Sequence, residues 1–321
     1  MAQLVTSGQM SATLRAAANA DHASVSGGFP HNDGPEWSNA DTPVEQALAG
    51  PSPTTATQAA ALILAAKTFI NAHMAFADLV SGDKIFSHNV ADGANTLSAS
   101  MDAWSVIETN LREACRLLLN EESDDYEKHR LNTGGTFHTT VDTVNYLGVP
   151  VTLASGVTDQ QLVDRANLLK ALLSDHVVKV GGTHTSADSS NVVTAVNAIY
   201  DATTGMDWDK MILLVNDVRT KYEAHRVSGG IHAANDTVNT ITLGAVAMPA
   251  GWNTLLNEIL VDWDVHVQNA TFHNFADTDN MLSLGAVSTV AAMITAAQSI
   301  YSKVNAHARA APKSRAYRLQ A

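Results

Sequence analysis

Thirteen histidines stand in 321 residues, and twelve fall into six pairs: His22/His31, His73/His88, His129/His138, His176/His184, His225/His232 and His266/His273. The thirteenth, His307, closes a segment of the same kind near the C-terminus. In five pairs the second histidine is followed by aspartate four residues on and asparagine seven residues on: Asp92/Asn95, Asp142/Asn145, Asp188/Asn191, Asp236/Asn239 and Asp277/Asn280. From His73 onward, successive first histidines are 56, 47, 49, 41 and 41 residues apart. A period of a few tens of residues constrains the chain to an array of supersecondary units rather than one globular active site.

The residues ten, seven and three positions before each first histidine are mostly apolar: Ile63, Ala66, Ile70 before His73; Ala166, Leu169, Leu173 before His176; Val215, Val218, Tyr222 before His225; Leu256, Ile259, Trp263 before His266; Ala297, Ile300, Val304 before His307. The row before His129 is Leu119, Glu122, Tyr126, with one polar member. Steps of three and four put these side chains and the histidine on one face of an α-helix. Thr158-Asp159, Asp207, Asn253 and Ser288-Thr289 are candidate N-caps. Long helices are expected at roughly 57–74, 102–130, 158–177, 207–226, 252–267 and 289–308.

A short loop follows, usually with paired glycines: Gly134-Gly135, Gly181-Gly182, Gly229-Gly230, and Gly27-Gly28 in the N-terminal unit. Glycine there permits a sharp reversal. The second histidine comes next, and the aspartate can cap a short helix. The predicted class is all-α: about six tandem helix–loop–short-helix repeats forming an array or bundle. The first unit has Pro35 where aspartate is expected and Ala12, Arg15, Asn19 in place of the apolar row. Residues 1–56 therefore read as a degenerate terminal unit and linker, 57–308 as the array, and 309–321 as a basic tail.

Composition narrows the function. The net charge of −13, with basic residues gathered only at Lys313, Arg315 and Arg318, argues against nucleic acid as a partner. No apolar run is long enough to span a bilayer, and the opening residues lack the basic start and apolar core of a signal peptide, so synthesis in the cytoplasm is expected. The single cysteine, Cys115, lies in a helical apolar pattern and reads as a buried inert thiol. Tyr126, Tyr222 and Trp263 read as core, and Glu121-Glu122 with Asp124-Asp125 as a solvated helix face. No phosphate loop, HExxH helix, CxxC pair or nucleophile elbow is present. Five near-copies of one His/His/Asp set argue against a catalytic role, since a catalytic site is normally built once.

The sets His73, His88, Asp92; His129, His138, Asp142; His176, His184, Asp188; His225, His232, Asp236; and His266, His273, Asp277 admit two readings. The first is a hydrogen-bond clasp without cofactor, in which one imidazole nitrogen bonds backbone at the helix end and aspartate orients the other. The alternative is a divalent transition metal, since imidazole and carboxylate suit Zn, Mn, Fe or Ni. Pair spacings of seven to fifteen residues are looser than a short metal motif and favour the clasp.

The pattern Tyr222-Glu-Ala-His225, Gly229-Gly230-Ile-His232, Asp236-Thr-Val-Asn239 resembles a repeat of tailed-bacteriophage virion structural proteins, over residues 57–308. The resemblance implies a non-enzymatic head, neck or tail protein, made in the host cytoplasm and located in the virion. Its partners would be copies of itself and other virion proteins. The alternatives are a subunit of an extracellular filament or surface layer, and a metal-binding repeat protein or metalloenzyme using the His/His/Asp sets.

Overall fold

The computed structural model describes residue 48 and residues 50–75, 91–133, 135–270 and 276–309. Among these the protein is all-α: α1 (Ala56–Ala75), α2 (Trp104–Arg130), α3 (Asp159–Val177), α4 (Trp208–Arg226), α5 (Thr254–Gln268) and α6 (Val290–Arg309), with one two-residue hairpin, Tyr200–Asp201 against Gly205–Met206. Each helix lies within two residues of its expected bounds. In α2 the buried stripe runs Trp104, Ile107, Leu111, Cys115, Leu118, Glu122, Tyr126, His129, an unbroken sequence of three- and four-residue steps. No described helix is long and apolar enough to cross a membrane.

The caps divide by chemistry. Thr158 forms a full capping box with Gln161, Asp207 accepts from Lys210 N–H, and Thr289 Oγ1 accepts from Ala292 N–H. Asn253 makes no side-chain cap; its amide donates instead to Val287 O on the following return segment.

The expected short helix after each loop is reduced to a single 3-10 turn at Ser189–Asn191 and Thr278–Asn280, and to bends or turns after Asp92, Asp142 and Asp236. The aspartate is used elsewhere. In all five units its backbone N–H donates to the carbonyl of the residue after the first histidine: Asp92 to Met74, Asp142 to Arg130, Asp188 to Val177, Asp236 to Arg226 and Asp277 to Val267, at 2.7–3.0 Å. This bond satisfies an orphan carbonyl at the helix end and turns the chain back along the helix, so the return is extended.

The residue five beyond each aspartate then donates its N–H to the side chain two positions before the first histidine: Leu97 to Asn71, Leu147 to Glu127, Val193 to Ser174, Ile241 to Glu223 and Leu282 to Asp264. On α6 the same place, Asn305, is taken by Leu48 N–H at 2.6 Å, and Gln298 donates to Pro53 O. The described end of the N-terminal segment thus docks on the last helix as a return strand, closing the chain on itself.

The helices pack as two sets of three. α2, α3 and α4 pack mutually, while α1 packs on α6 and on α5; further contacts of α1 with α2 and of α4 with α6 join the sets. The acidic run on α2 departs from expectation: Glu122 is 1% exposed and Asp125 is buried. α2 is covered on two sides, by α3 and α4, so a stripe that faces solvent on an isolated helix is enclosed here. Cys115, Tyr126, Tyr222 and Trp263 lie in the core as expected, and burial pushes the Cys115 thiol up to about 12.

Candidate metal centre

The C-terminal ends of α2, α3 and α4 meet, and with them six imidazoles. His129, His176 and His225 stand in the last turns, fully buried, because each closes the apolar stripe of its helix. His138, His184 and His232 follow on loops bonded head to tail: Thr140 N–H donates to Gly182 O, Thr185 N–H to Ile231 O, and Ala233 N–H to Phe137 O. The loops form a closed ring of three. Gly182 is required there, since its φ of +108° is left-handed and an added Cβ would stand 2.6 Å from Thr140 Oγ1.

The ring contacts define a polyhedron. Within units, His129/His138, His176/His184 and His225/His232 have centroids 4.7, 4.7 and 4.5 Å apart. Between first histidines the separations are 5.3–5.5 Å, and between second histidines 5.0–5.1 Å. The cross pairs His129/His232, His138/His176 and His184/His225 are 4.9–5.2 Å apart. Six rings joined by these twelve near-equal edges form an octahedron, whose diagonals are His129/His184, His138/His225 and His176/His232.

An edge of about 5 Å puts each centroid about 3.5 Å from the middle, and a ring nitrogen aimed at that point would stand about 2.4 Å from it, close to the ~2.1 Å of a metal–imidazole bond. His225 Nε2 and His232 Nε2 are 3.2 Å apart, near the roughly 3.0 Å expected of two ligands at right angles on one ion. Nitrogens of His129, His138, His176 and His225, and those of His138, His184, His225 and His232, lie within 4.8 Å of one another. The two sets share the opposite corners His138 and His225, so they overlap within one cluster of six rings.

The tautomers follow from the outer hydrogen bonds. His129 Nδ1 is 2.8 Å from Asp236, His176 Nδ1 2.9 Å from Asp142, and His225 Nδ1 2.9 Å from Asp188. His184 Nδ1 is 2.9 Å from Lys179 O, an acceptor only. A proton on Nδ1 in all four leaves four Nε2 lone pairs. Those of His129, His176 and His184 are buried with no protein hydrogen-bond partner, as are both nitrogens of His138, one of which carries the proton and the other a lone pair. Orphaned buried acceptors that converge on one point are costly unless a cation lies between them.

The electrostatics point the same way. Burial, with the neighbouring imidazoles adding to it, pushes His225 down to about 4, His138 to about 3 and His232 to about 2 and lowers His176 and His184, while burial and the Arg226 charge lower His129. The histidines are therefore neutral at neutral pH, the form that ligates metal. Burial works to raise the Asp142, Asp188 and Asp236 carboxyls, but hydrogen bonds from His176 and Lys179, from His225, and from His129 hold them below the usual carboxylate range. Lys179, 2.5 Å from Asp142, offsets one of the three carboxylates, so negative charge stands behind the neutral rings.

The family and structure comparisons are negative. The chain matches no protein-family model, no curated protein and no solved structure.

The sequence sets are thus redistributed. The aspartate that orients each imidazole belongs to another unit: Asp142 serves His176, Asp188 serves His225, and Asp236 serves His129. Within its own unit the carboxylate accepts from backbone and asparagine, as Asp142 does from Val144 N–H, Asn145 N–H and Asn145 Nδ2. Clasp bonding to backbone is found at His184 alone among the six. In the other helix set His266 Nδ1 lies 2.8 Å from Asp92 and His307 Nδ1 2.7 Å from Asp277. His22, His31, His88 and His273 lie outside the described residues. Lys179 was missed in the sequence, being the one such lysine and marked by no repeated spacing.

Proposed function

We propose that this chain is a non-enzymatic structural protein, a helical block stapled by a divalent transition metal held on His129, His138, His176, His184, His225 and His232. The octahedral set of twelve ring edges carries this reading. Imidazole suits Zn, Cu, Fe and Ni, and six-coordination favours ions that accept octahedral geometry over tetrahedral zinc. Catalytic metal sites keep an open position for water or substrate, whereas here every corner is a protein ring. The carboxylates behind the rings fix tautomer and orientation, as partners of metal-bound histidine do elsewhere.

The test is elemental analysis of protein purified without metal-affinity steps, followed by melting with and without a chelator. The expected result is bound transition metal, and a fall in melting temperature when it is stripped. Metal-free protein that melts unchanged in chelator returns the account to the hydrogen-bond clasp.

For location, the resemblance of Tyr222–Asn239 to tailed-phage virion proteins supports a multi-copy particle component that packs on itself and on other virion proteins. A rigid block without an open coordination position fits such use. Mass spectrometry of purified particles tests it: the protein in stoichiometric amounts is expected, and its recovery from the cell envelope instead favours the filament or surface-layer alternative.

A further inference from the structure

The other helix set repeats the outer bonding of the six-histidine centre with different residues. His73, His266 and His307 close the apolar stripes of α1, α5 and α6, and their ring centroids lie 5.2, 5.1 and 6.0 Å apart. The order of carboxylates is the same at two of the three imidazoles, each paired with the aspartate of the preceding unit in its own set: His266 with Asp92 and His307 with Asp277, as His176 is with Asp142 and His225 with Asp188. Trp263 takes the place of Tyr126 and Tyr222 three residues before the histidine, and its Nε1–H donates to Asn280 O as their hydroxyls donate to Asn145 O and Asn239 O. Its indole ring lies 5.1 Å from His307 and 5.7 Å from His266.

The inner nitrogens converge as well. His307 Nε2 and His73 Nε2 are 3.2 Å apart, the separation found between His225 and His232, and one nitrogen from each of His73, His266 and His307 lies within 4.8 Å of the others. Nδ1 of His307 faces a carboxylate, so its Nε2 presents a lone pair toward the neighbouring ring.

We propose that His73, His266 and His307 form a second transition-metal site, so that the chain carries two ions, one per helix set. The inference rests on the metal reading of the six-histidine centre. Its test separates the two. Apo protein is titrated with Ni²⁺, and the stoichiometry is read by calorimetry and elemental analysis for the wild type, His307→Ala and His176→Ala.

Two equivalents in the wild type and one in each variant are expected. A single equivalent that survives His307→Ala and is lost in His176→Ala overturns the second site and leaves the first. A single equivalent lost only in His307→Ala supports the second site and overturns the first. No bound Ni²⁺ in the wild type overturns both. A wild-type count of two or of none is decisive without the variants, and where His307→Ala or His176→Ala fails to fold, His73→Ala or His129→Ala assigns a single equivalent in its place.

Discussion

At the scale of the residue, Asp142 joins more groups than any other side chain near the centre. It accepts from His176, Lys179, Asn145 and two backbone N–H groups while fully buried. Asp142→Ala orphans several of these donors at once and is expected to cost about 3 kcal/mol, measured by denaturant unfolding. It should also weaken metal binding roughly ten- to a hundredfold, since it frees the His176 ring to rotate. Glu122 is the opposite case: both carboxylate oxygens are buried without a hydrogen-bond partner, and burial raises its pKa well above the ordinary 4.5. A carboxyl whose folded-state pKa is raised contributes stability below its ordinary pKa and loses it as pH rises. Glu122→Leu should therefore stabilise the protein at neutral pH by about 2 kcal/mol, with the gain shrinking toward pH 4. An equal gain at both pH values would contradict the assignment of a buried carboxyl. The position was legible as the polar member of an apolar row, but its enclosure was not, because only packing by α3 and α4 covers it.

At the scale of the element, the three-and-four spacing before each first histidine was enough to place all six helices. The Thr158 capping box was also legible, and Thr158→Ala should cost about 1 kcal/mol, read as faster amide exchange in the first turn of α3. The return segments were not legible as extended chain. Aspartate is a strong helix starter, so Asp-x-x-Asn suggests a cap, yet each aspartate N–H is committed to the preceding helix end and pulls the backbone away from a new helix. Pairing across units was hidden for a different reason. His129 bonds Asp236, 107 residues away, and nothing in a linear repeat says which unit stands beside which. Pair spacing could not weigh between clasp and metal for the same cause: the six rings are brought together by the ring of three loops, so spacing within one loop is free to vary.

At the scale of the whole molecule, the chain closes because Leu48 occupies on α6 the place that a return strand occupies on each other helix. Asn305→Ala removes both that acceptor and the donor to Leu48 O, and should cost about 1–2 kcal/mol although it lies far from the six-histidine centre in sequence and in function. Acid should act more broadly. The imidazoles of His225 and His138 are held below their ordinary 6.5, at about 4 and about 3, so the unfolded chain takes up protons first as pH falls. Their contribution is present above pH 6.5 and is lost on the way down to about pH 4 for His225 and about pH 3 for His138. Protons and metal compete for the same nitrogens, so the melting temperature and the metal content should fall together over that interval.

The most direct test of the six-histidine centre is the X-ray absorption spectrum of metal-loaded His307→Ala protein, in which the second site is removed. The account predicts six nitrogen neighbours at one distance near 2.1–2.2 Å, with the multiple-scattering pattern of imidazole. A spectrum showing four ligands, or a shell dominated by water oxygen, would contradict an octahedral centre built from His129, His138, His176, His184, His225 and His232.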